Sequence, residues 1–235
     1  MTDLFVKICG VTSEADALLV VGLGADAVGF IFAPSPRQVT AALAADIVKR
    51  LPDSVVTVGV FRDEAPGRVV EIANRVGLGA VQLHGHERAE DCRFVRARVP
   101  RTIKAFPAGD RAISRFEEFG ADLLLIDGSS PGSGEVFDWR LAEGVVDPTR
   151  LIVSGGLRPE NVAQAVAHLR PFGVDVASGV EAEPGRKDPA KVRRFITAAR
   201  QAAATLDAGD RSPTPPGTAR GAEAEGTGPY DWMLG

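Results

Sequence analysis

Residues 4–23 read LFVKICGVTSEADALLVVGL. The first six residues form an apolar run of strand length that ends at Cys9, and Gly10 supplies the turn. Ser13 then precedes a stretch with helical spacing, and with Asp16 it makes a loose capping box. The unit is strand, turn, helix. The turn after the strand decides more than the strand does. An open doubly wound sheet usually carries a glycine-rich fingerprint at its first turn. Here the turn is CGVTSE, with no G-x-G-x-x-G. A sheet closed into a barrel needs no such fingerprint.

The same unit recurs. Apolar runs predict strands at LFVKIC (4–9), AVGFIF (27–32), VVTVGVF (55–61), AVQLH (80–84), TIKAF (102–106), DLLLID (122–127), RLIVSG (150–155) and GVDVAS (173–178). Helical stretches lie between and after them: SEADALLVVGL, TAALAADIVKRL, APGRVVEIANRV, ERAEDCRFVRARV, GDRAISRFEEF, DWRLAEGV, RPENVAQAVAHL and DPAKVRRFITAARQAA. Thr40, Asp110 and Asp188 read as further caps, and Pro66 and Pro189 fall in first helical turns, where a missing N–H is harmless. The strands are nearly continuous apolar runs, as parallel strands covered on both faces should be. Eight strands alternating with eight helices in about 200 residues predict a single (β/α)8 TIM barrel at the compact end of that fold, spanning residues 1–205.

From 206 the chain reads LDAGDRSPTPPGTARGAEAEGTGPYDWMLG, rich in Gly, Pro, Ala, Ser and Thr and without an apolar period. That composition predicts a disordered C-terminal tail over 206–235. It holds the chain's one tyrosine, Tyr230, and one of its two tryptophans, Trp232. Two readings stand: a loose terminus, or a docking segment whose aromatic residues fill a groove on a partner or on the barrel.

Bulk properties narrow the function. With 45% hydrophobic and 25% charged residues the composition is that of a globular protein. A net charge of −4 and a pI of about 5.5 argue against a nucleic-acid partner. The N-terminus MTDLFVKICG has no basic segment followed by an apolar one, so no signal peptide is expected. The most apolar window, ALLVVGLGADAVGFIFAP, is too short and too interrupted by Asp26 and glycines to span a membrane. Cys9 and Cys92 form neither a metal-ligand spacing nor a disulfide framework, and they suit a cytoplasmic location.

In a (β/α)8 barrel the site forms where strands end and βα loops begin. The polar residues at those points are Cys9, Arg37, His84, Asp127, Ser154-Gly155-Gly156 and Ser178-Gly179. The loops after strands seven and eight, SGGLRPEN and ASGVEAEPG, are rich in small residues that let backbone approach an anion. Such loops often hold phosphate in this fold, which points to a small phosphorylated ligand.

Asp127 shares a strand face with Leu125 and Leu123. A carboxylate at an apolar barrel mouth is expected to be raised in pKa and to suit a general acid; a helix cap or loop-orienting role is the alternative. Cys9 shares a face with Lys7, whose ammonium is expected to favour the thiolate. The alternative is a small buried hydrophobe, which is the reading for Cys92. Arg37, in APSPRQV, carries a fork suited to a carboxylate or phosphate, or is a solvated loop residue. His84 either hydrogen-bonds a substrate or completes the barrel rim.

KICGVT, GFIFAPSPR, VQLHG, IDGSSPGSGEVFDW, VSGGLRPENV and GVDVASGVE, in that order over about residues 4–200, resemble phosphoribosylanthranilate isomerase of tryptophan biosynthesis. The resemblance implies a cofactor-free Amadori rearrangement of N-(5-phosphoribosyl)anthranilate to 1-(2-carboxyphenylamino)-1-deoxyribulose 5-phosphate. It implies Cys9 as general base and Asp127 as general acid. Arg37 falls near the anthranilate carboxylate, and Gly155, Gly156, Ser178 and Gly179 fall in the phosphate loops. Pro131 interrupts a loop that the family usually makes glycine-rich, and it fixes φ there.

Two other classes compete. Another phosphosugar barrel is expected to show strand-end lysines and glutamates if a synthase, or metal-binding histidines if an epimerase. The chain has only His84, His86 and His168. A non-catalytic phosphate-binding module, with the tail as effector, is the other.

Overall fold

A computed structural model describes residues 4–128 and 147–210. Eight parallel strands close into a barrel in sequence order, with β1 pairing β8. They are β1 (Phe5–Cys9), β2 (Ala27–Ile31), β3 (Val56–Phe61), β4 (Ala80–Leu83), β5 (Thr102–Pro107), β6 (Leu123–Asp127), β7 (Leu151–Ser154) and β8 (Gly173–Val176). Every expected strand is present, with ends shifted by one or two residues.

Strand alternation sorts the side chains into two apolar clusters. Ala27, Val58, Ala80, Ile103, Ala105, Leu125 and Ile152 point inward and fill the barrel, with Phe5, Val56, Leu123 and Phe172 packed against them. Phe5 and Phe172 stack with ring centroids 5.3 Å apart. The alternate positions, among them Ile8, Phe30, Val81, Leu124, Ile126 and Val174, belong to the larger cluster shared with the helices.

Those helices are α1 (Glu14–Gly22), α2 (Ala41–Val48), α3 (Pro66–Val76), α4 (Ala89–Arg96), α5 (Phe116–Phe119), α6 (Val162–Leu169) and α7 (Pro189–Asp210). Ser13 and Thr40 cap α1 and α2 by accepting from the Asp16 and Leu43 N–H groups. The Asp16 carboxylate does not complete the expected capping box; it accepts from Lys187 N–H at 3.0 Å. The helix expected over GDRAISRFEEF is mostly a 3₁₀ turn, Arg111–Arg115, ahead of the short α5. Ser114 Oγ donates to the Arg111 carbonyl there, a local bond that competes with an α-helical turn.

Two features differ from expectation at the C-terminal end. A short antiparallel hairpin, β9 (Glu181–Glu183) with β10 (Arg186–Lys187), comes after β8. Helix α7 runs to Asp210, past the boundary expected at 205, because AAATL keeps high helix propensity and Leu206 still packs on the core. The helix expected over DWRLAEGV, the Pro131 loop, and the tail with Tyr230 and Trp232 lie outside the described residues. Among the described residues no helix is long and apolar enough to cross a membrane.

Candidate active site

The inward positions at the C-terminal ends of the strands open on a cavity of about 560 Å³. That is a volume suited to a small ligand. Cys9, Arg37, His84, Asp127, Gly155, Gly156, Ser178 and Gly179 all line it. So do Gln82 and Asp175, which strand alternation places on the inner face but which a reading of strand ends alone passes over, because they precede those ends.

Cys9 ends β1 opposite Gly29 of β2. A Cβ at Gly29 would lie 2.7 Å from Cys9 Sγ, so the absent side chain makes room for the thiol. Beneath it, Lys7 is 0% exposed and pairs with Asp175 across the β1–β8 seam at 2.9 Å. The expected depression of the thiol does not occur. Burial pushes Cys9 up; Lys7 pulls it down, Asp175 pushes it up and Lys187 pulls it down, and the thiol ends above its ordinary range. The reason is burial, which outweighs the pull of Lys7, while Asp175 opposes that pull. Burial would lower Lys7, yet Asp175 and Cys9 together hold it above its usual value. Cys92, buried on α4, is pushed up to about 11 by burial and is a packing residue.

The Lys7–Asp175 pair is buried, so breaking it leaves an uncompensated charge. Lys7→Met is expected to cost about 3–5 kcal/mol in urea unfolding, and adding Asp175→Leu should recover most of it. A single-variant loss below roughly 1 kcal/mol would mean that the pair behaves like a solvated one.

Arg37 reaches the cavity by crossing Gly10. Gly10 has φ +72°, and a Cβ there would meet Arg37 Cδ at 2.6 Å. Its turn thus clears a path for the guanidinium. The Arg37 fork is held by Glu181, with Nε–Oε1 at 2.7 Å and Nη2–Oε2 at 2.6 Å. This bidentate bond raises the guanidinium further above its ordinary value. Lys187, also buried, donates to Glu181 at 2.9 Å, to the Cys9 carbonyl at 2.6 Å and to the Ala177 carbonyl at 3.2 Å. Burial would raise Glu181, but Arg37 and Lys187 bring it down. The hairpin that carries both residues therefore ties the ends of β1 and β8 to the Arg37 loop.

Asp127 ends β6. The desolvated setting expected for it is not found: its side chain is 35% exposed and its partner is polar. His84 Nε2 lies 3.1 Å from Asp127 Oδ2. On the other ring edge, His84 Nδ1 lies 2.8 Å from Gln82 Nε2. The loop that carries His84 is pinned by Glu87, which accepts from the Gly85 and Asp63 N–H groups at 3.0 Å and pairs with buried Lys104 at 2.7 Å. His86, by contrast, points outward and is exposed.

The β7 and β8 loops meet backbone to backbone. Gly155 and Gly156 have φ of +85° and +64°. A Cβ at Gly155 would approach Gly128 N to 2.1 Å, and one at Gly179 would approach the Leu157 carbonyl to 1.9 Å. Asn161 stitches the first loop by accepting from Arg158 N–H at 2.8 Å and donating to the Gly156 carbonyl at 3.0 Å. Only glycine fits these approaches, and the result is a cavity wall of bare main chain.

The family model described as N-(5'-phosphoribosyl)anthranilate (PRA) isomerase matches residues 6–198. This chain belongs to the PRA isomerase family. A curated relative from Desulforudis audaxviator (strain MP104C), named N-(5'-phosphoribosyl)anthranilate isomerase, is 50% identical over 204 residues, which are 84% of this chain and 98% of the relative. The crystal structure of phosphoribosyl anthranilate isomerase from Thermus thermophilus superposes with a TM-score of 0.78 at 40% identity, covering 86% of this chain and all of that one. A further PRA isomerase structure, in complex with reduced 1-(o-carboxyphenylamino)-1-deoxyribulose 5-phosphate, gives 0.75 at 42% identity over 84% of this chain and 99% of that one.

For this PRA isomerase family member, the sequence pattern places the cavity residues but misses the pairs that hold them. Asp175, Glu181 and Lys187 do carry a signal: charged residues inside or beside otherwise apolar β8 need partners.

Proposed function

We propose that this chain is a phosphoribosylanthranilate isomerase of tryptophan biosynthesis, acting in the cytoplasm without a cofactor. It converts N-(5-phosphoribosyl)anthranilate to 1-(2-carboxyphenylamino)-1-deoxyribulose 5-phosphate. The observation that carries this reading is the opening of Cys9 and Asp127, from β1 and β6, onto one cavity walled by Gly155, Gly156 and Gly179.

In this reading the 5-phosphate lies against the main chain of the β7 and β8 loops, with Ser178 beside it. The free edge of Arg37 meets the anthranilate carboxylate while Glu181 keeps the guanidinium plane in place. Asp127 gives its proton to the furanose ring oxygen. The C1′–O bond breaks and leaves a cationic Schiff base at C1′. Cys9, as thiolate, removes the C2′ proton, and the C2′–H electrons neutralise the nitrogen as an enolamine. C1′ then gains a proton and the C2′ hydroxyl loses one, giving the ketone.

The raised thiol fits this order. In the free protein burial holds the proton on Cys9. A substrate cation next to the sulfur is an opposite charge that favours loss of the thiol proton to solvent, leaving the thiolate when it is needed. A strand-lysine synthase mechanism has less to work with, because Lys7 is spent on Asp175 and Lys104 on Glu87.

The decisive assay tracks the loss of anthranilate-type fluorescence on mixing the purified protein with phosphoribosylanthranilate. Turnover at roughly 1 s⁻¹ or faster is expected. No turnover would overturn this reading and favour a non-catalytic phosphate-binding module.

A further inference from the structure

We infer that Gln82 is a positioning residue that decides which oxygen of Asp127 carries the acid proton. The inference rests on the reading of Asp127 as the general acid. Gln82 sits on β4 two residues before His84 and is 1% exposed. Its Nε2 lies 2.8 Å from His84 Nδ1, and His84 Nε2 lies 3.1 Å from Asp127 Oδ2. Among the described residues, Gln82 Oε1 is the one buried side-chain nitrogen or oxygen without a hydrogen-bond partner.

An amide N–H directed at Nδ1 needs a lone pair there. The neutral ring then carries its hydrogen on Nε2. That N–H donates to Asp127 Oδ2, so Oδ2 is an acceptor. Because the carbonyl oxygen of a carboxylic acid is the better acceptor, a proton on Asp127 is favoured on Oδ1. Oδ1 faces the phosphate loop: a Cβ at Gly155 would lie 2.6 Å from it. In a 5-phosphorylated furanose, only the C4 and C5 carbons separate the ring oxygen from the phosphate ester oxygen. An acid proton beside the phosphate loop is therefore beside the ring oxygen it must reach. After transfer, the Asp127 carboxylate keeps the Nε2–H bond, and no further proton moves along the chain.

The opposite amide orientation still leaves one end of Gln82 unpartnered, and it defeats this arrangement. Oε1 would accept from an Nδ1–H, and Nε2 would become an acceptor. The Asp127 proton would then be drawn to Oδ2, into the bond with His84 and away from Gly155. Held the productive way round, the amide leaves over one oxygen; reversed, it would leave over two N–H donors. An unpartnered polar atom in a native interior calls for such an explanation.

The test is nitrogen-15 NMR of histidine-labelled protein, helped by a total of three histidines, together with kinetics of Gln82→Met. The Nε2–H tautomer is expected at His84 in the wild-type protein and a mixture in Gln82→Met. The variant should show roughly 10²-fold lower kcat, with KM changed by less than about threefold. In the double variant Gln82→Met/Asp127→Asn, the Gln82 loss should vanish, because Gln82 acts through the Asp127 proton. A wild-type Nδ1–H tautomer, an unchanged kcat in Gln82→Met, or losses that multiply in the double variant would each overturn the inference. Should Gln82→Met not fold, the wild-type tautomer still decides. Full turnover by Asp127→Asn would instead strike down the acid reading itself.

Discussion

Asp127→Asn is expected to lower kcat by roughly 10³-fold, within the range of general acid catalysis, and to leave KM and the unfolding midpoint close to wild type. Asparagine keeps the shape of the side chain and a polar atom toward His84, which stands 3.1 Å away in the parent. It removes the transferable proton. On the proposed reading, ring opening is then left to solvent, while the contacts proposed for phosphate and carboxylate remain. An interaction made only as the ring opens should appear in kcat and kcat/KM alike. Steady-state fluorescence kinetics with a matched urea titration separates this from a folding defect. Turnover within about threefold of wild type would remove Asp127 from the chemistry.

Cys9→Ala should lose roughly 10²–10⁴ in kcat, with the barrel intact, because the side chain lost is small and opens onto the cavity. The pH dependence is the sharper measurement. Burial holds the Cys9 thiol above its ordinary range in the free protein, and kcat/KM reports ionisations of the free enzyme. A base whose pKa is raised is mostly protonated at neutral pH, and its active fraction grows as pH rises. In Asp127→Asn, where no acid titrates against the thiol, kcat/KM is therefore expected to climb with a slope near one from about pH 7 to about pH 9. It should not level off in that interval. A plateau reached below about pH 7.5 would mean either an already ionised thiolate or a different base, and Cys9→Ala distinguishes them. Adding Cys9→Ala to Asp127→Asn should abolish the climb.

Much of the site is legible because strand alternation is local. Once LFVKIC and DLLLID are read as parallel strands of a barrel, Cys9 and Asp127 must end on its inner face at the same rim. The glycines after β7 and β8 are picked out by their place in the order of units. What alternation cannot supply is the partner. It presents Lys7 as a free ammonium beside Cys9, but the counter-ion, Asp175, is 168 positions away. It presents Arg37 as an available fork, but Glu181, 144 positions on, holds it. Gln82 is one more residue inside β4 until its amide is seen against the His84 ring.

The sequence by itself determined the strand–helix periodicity, the caps and the residues at the strand ends, since each depends on neighbours within a few positions, and the count of eight units pointed to a closed barrel. The tertiary structure decided the charge state around those residues. Closing the barrel sets β1 beside β8 and brings the β9–β10 hairpin back over the first loop. That places Asp175 under Cys9 and Glu181 on Arg37, and it removes the thiol from water. Burial and long-range pairing turned an expected low thiol into a raised one. The same closure left Asp127 partly in solvent with a histidine for company, because exposure and ionic partners belong to the folded surface rather than to the local run of residues.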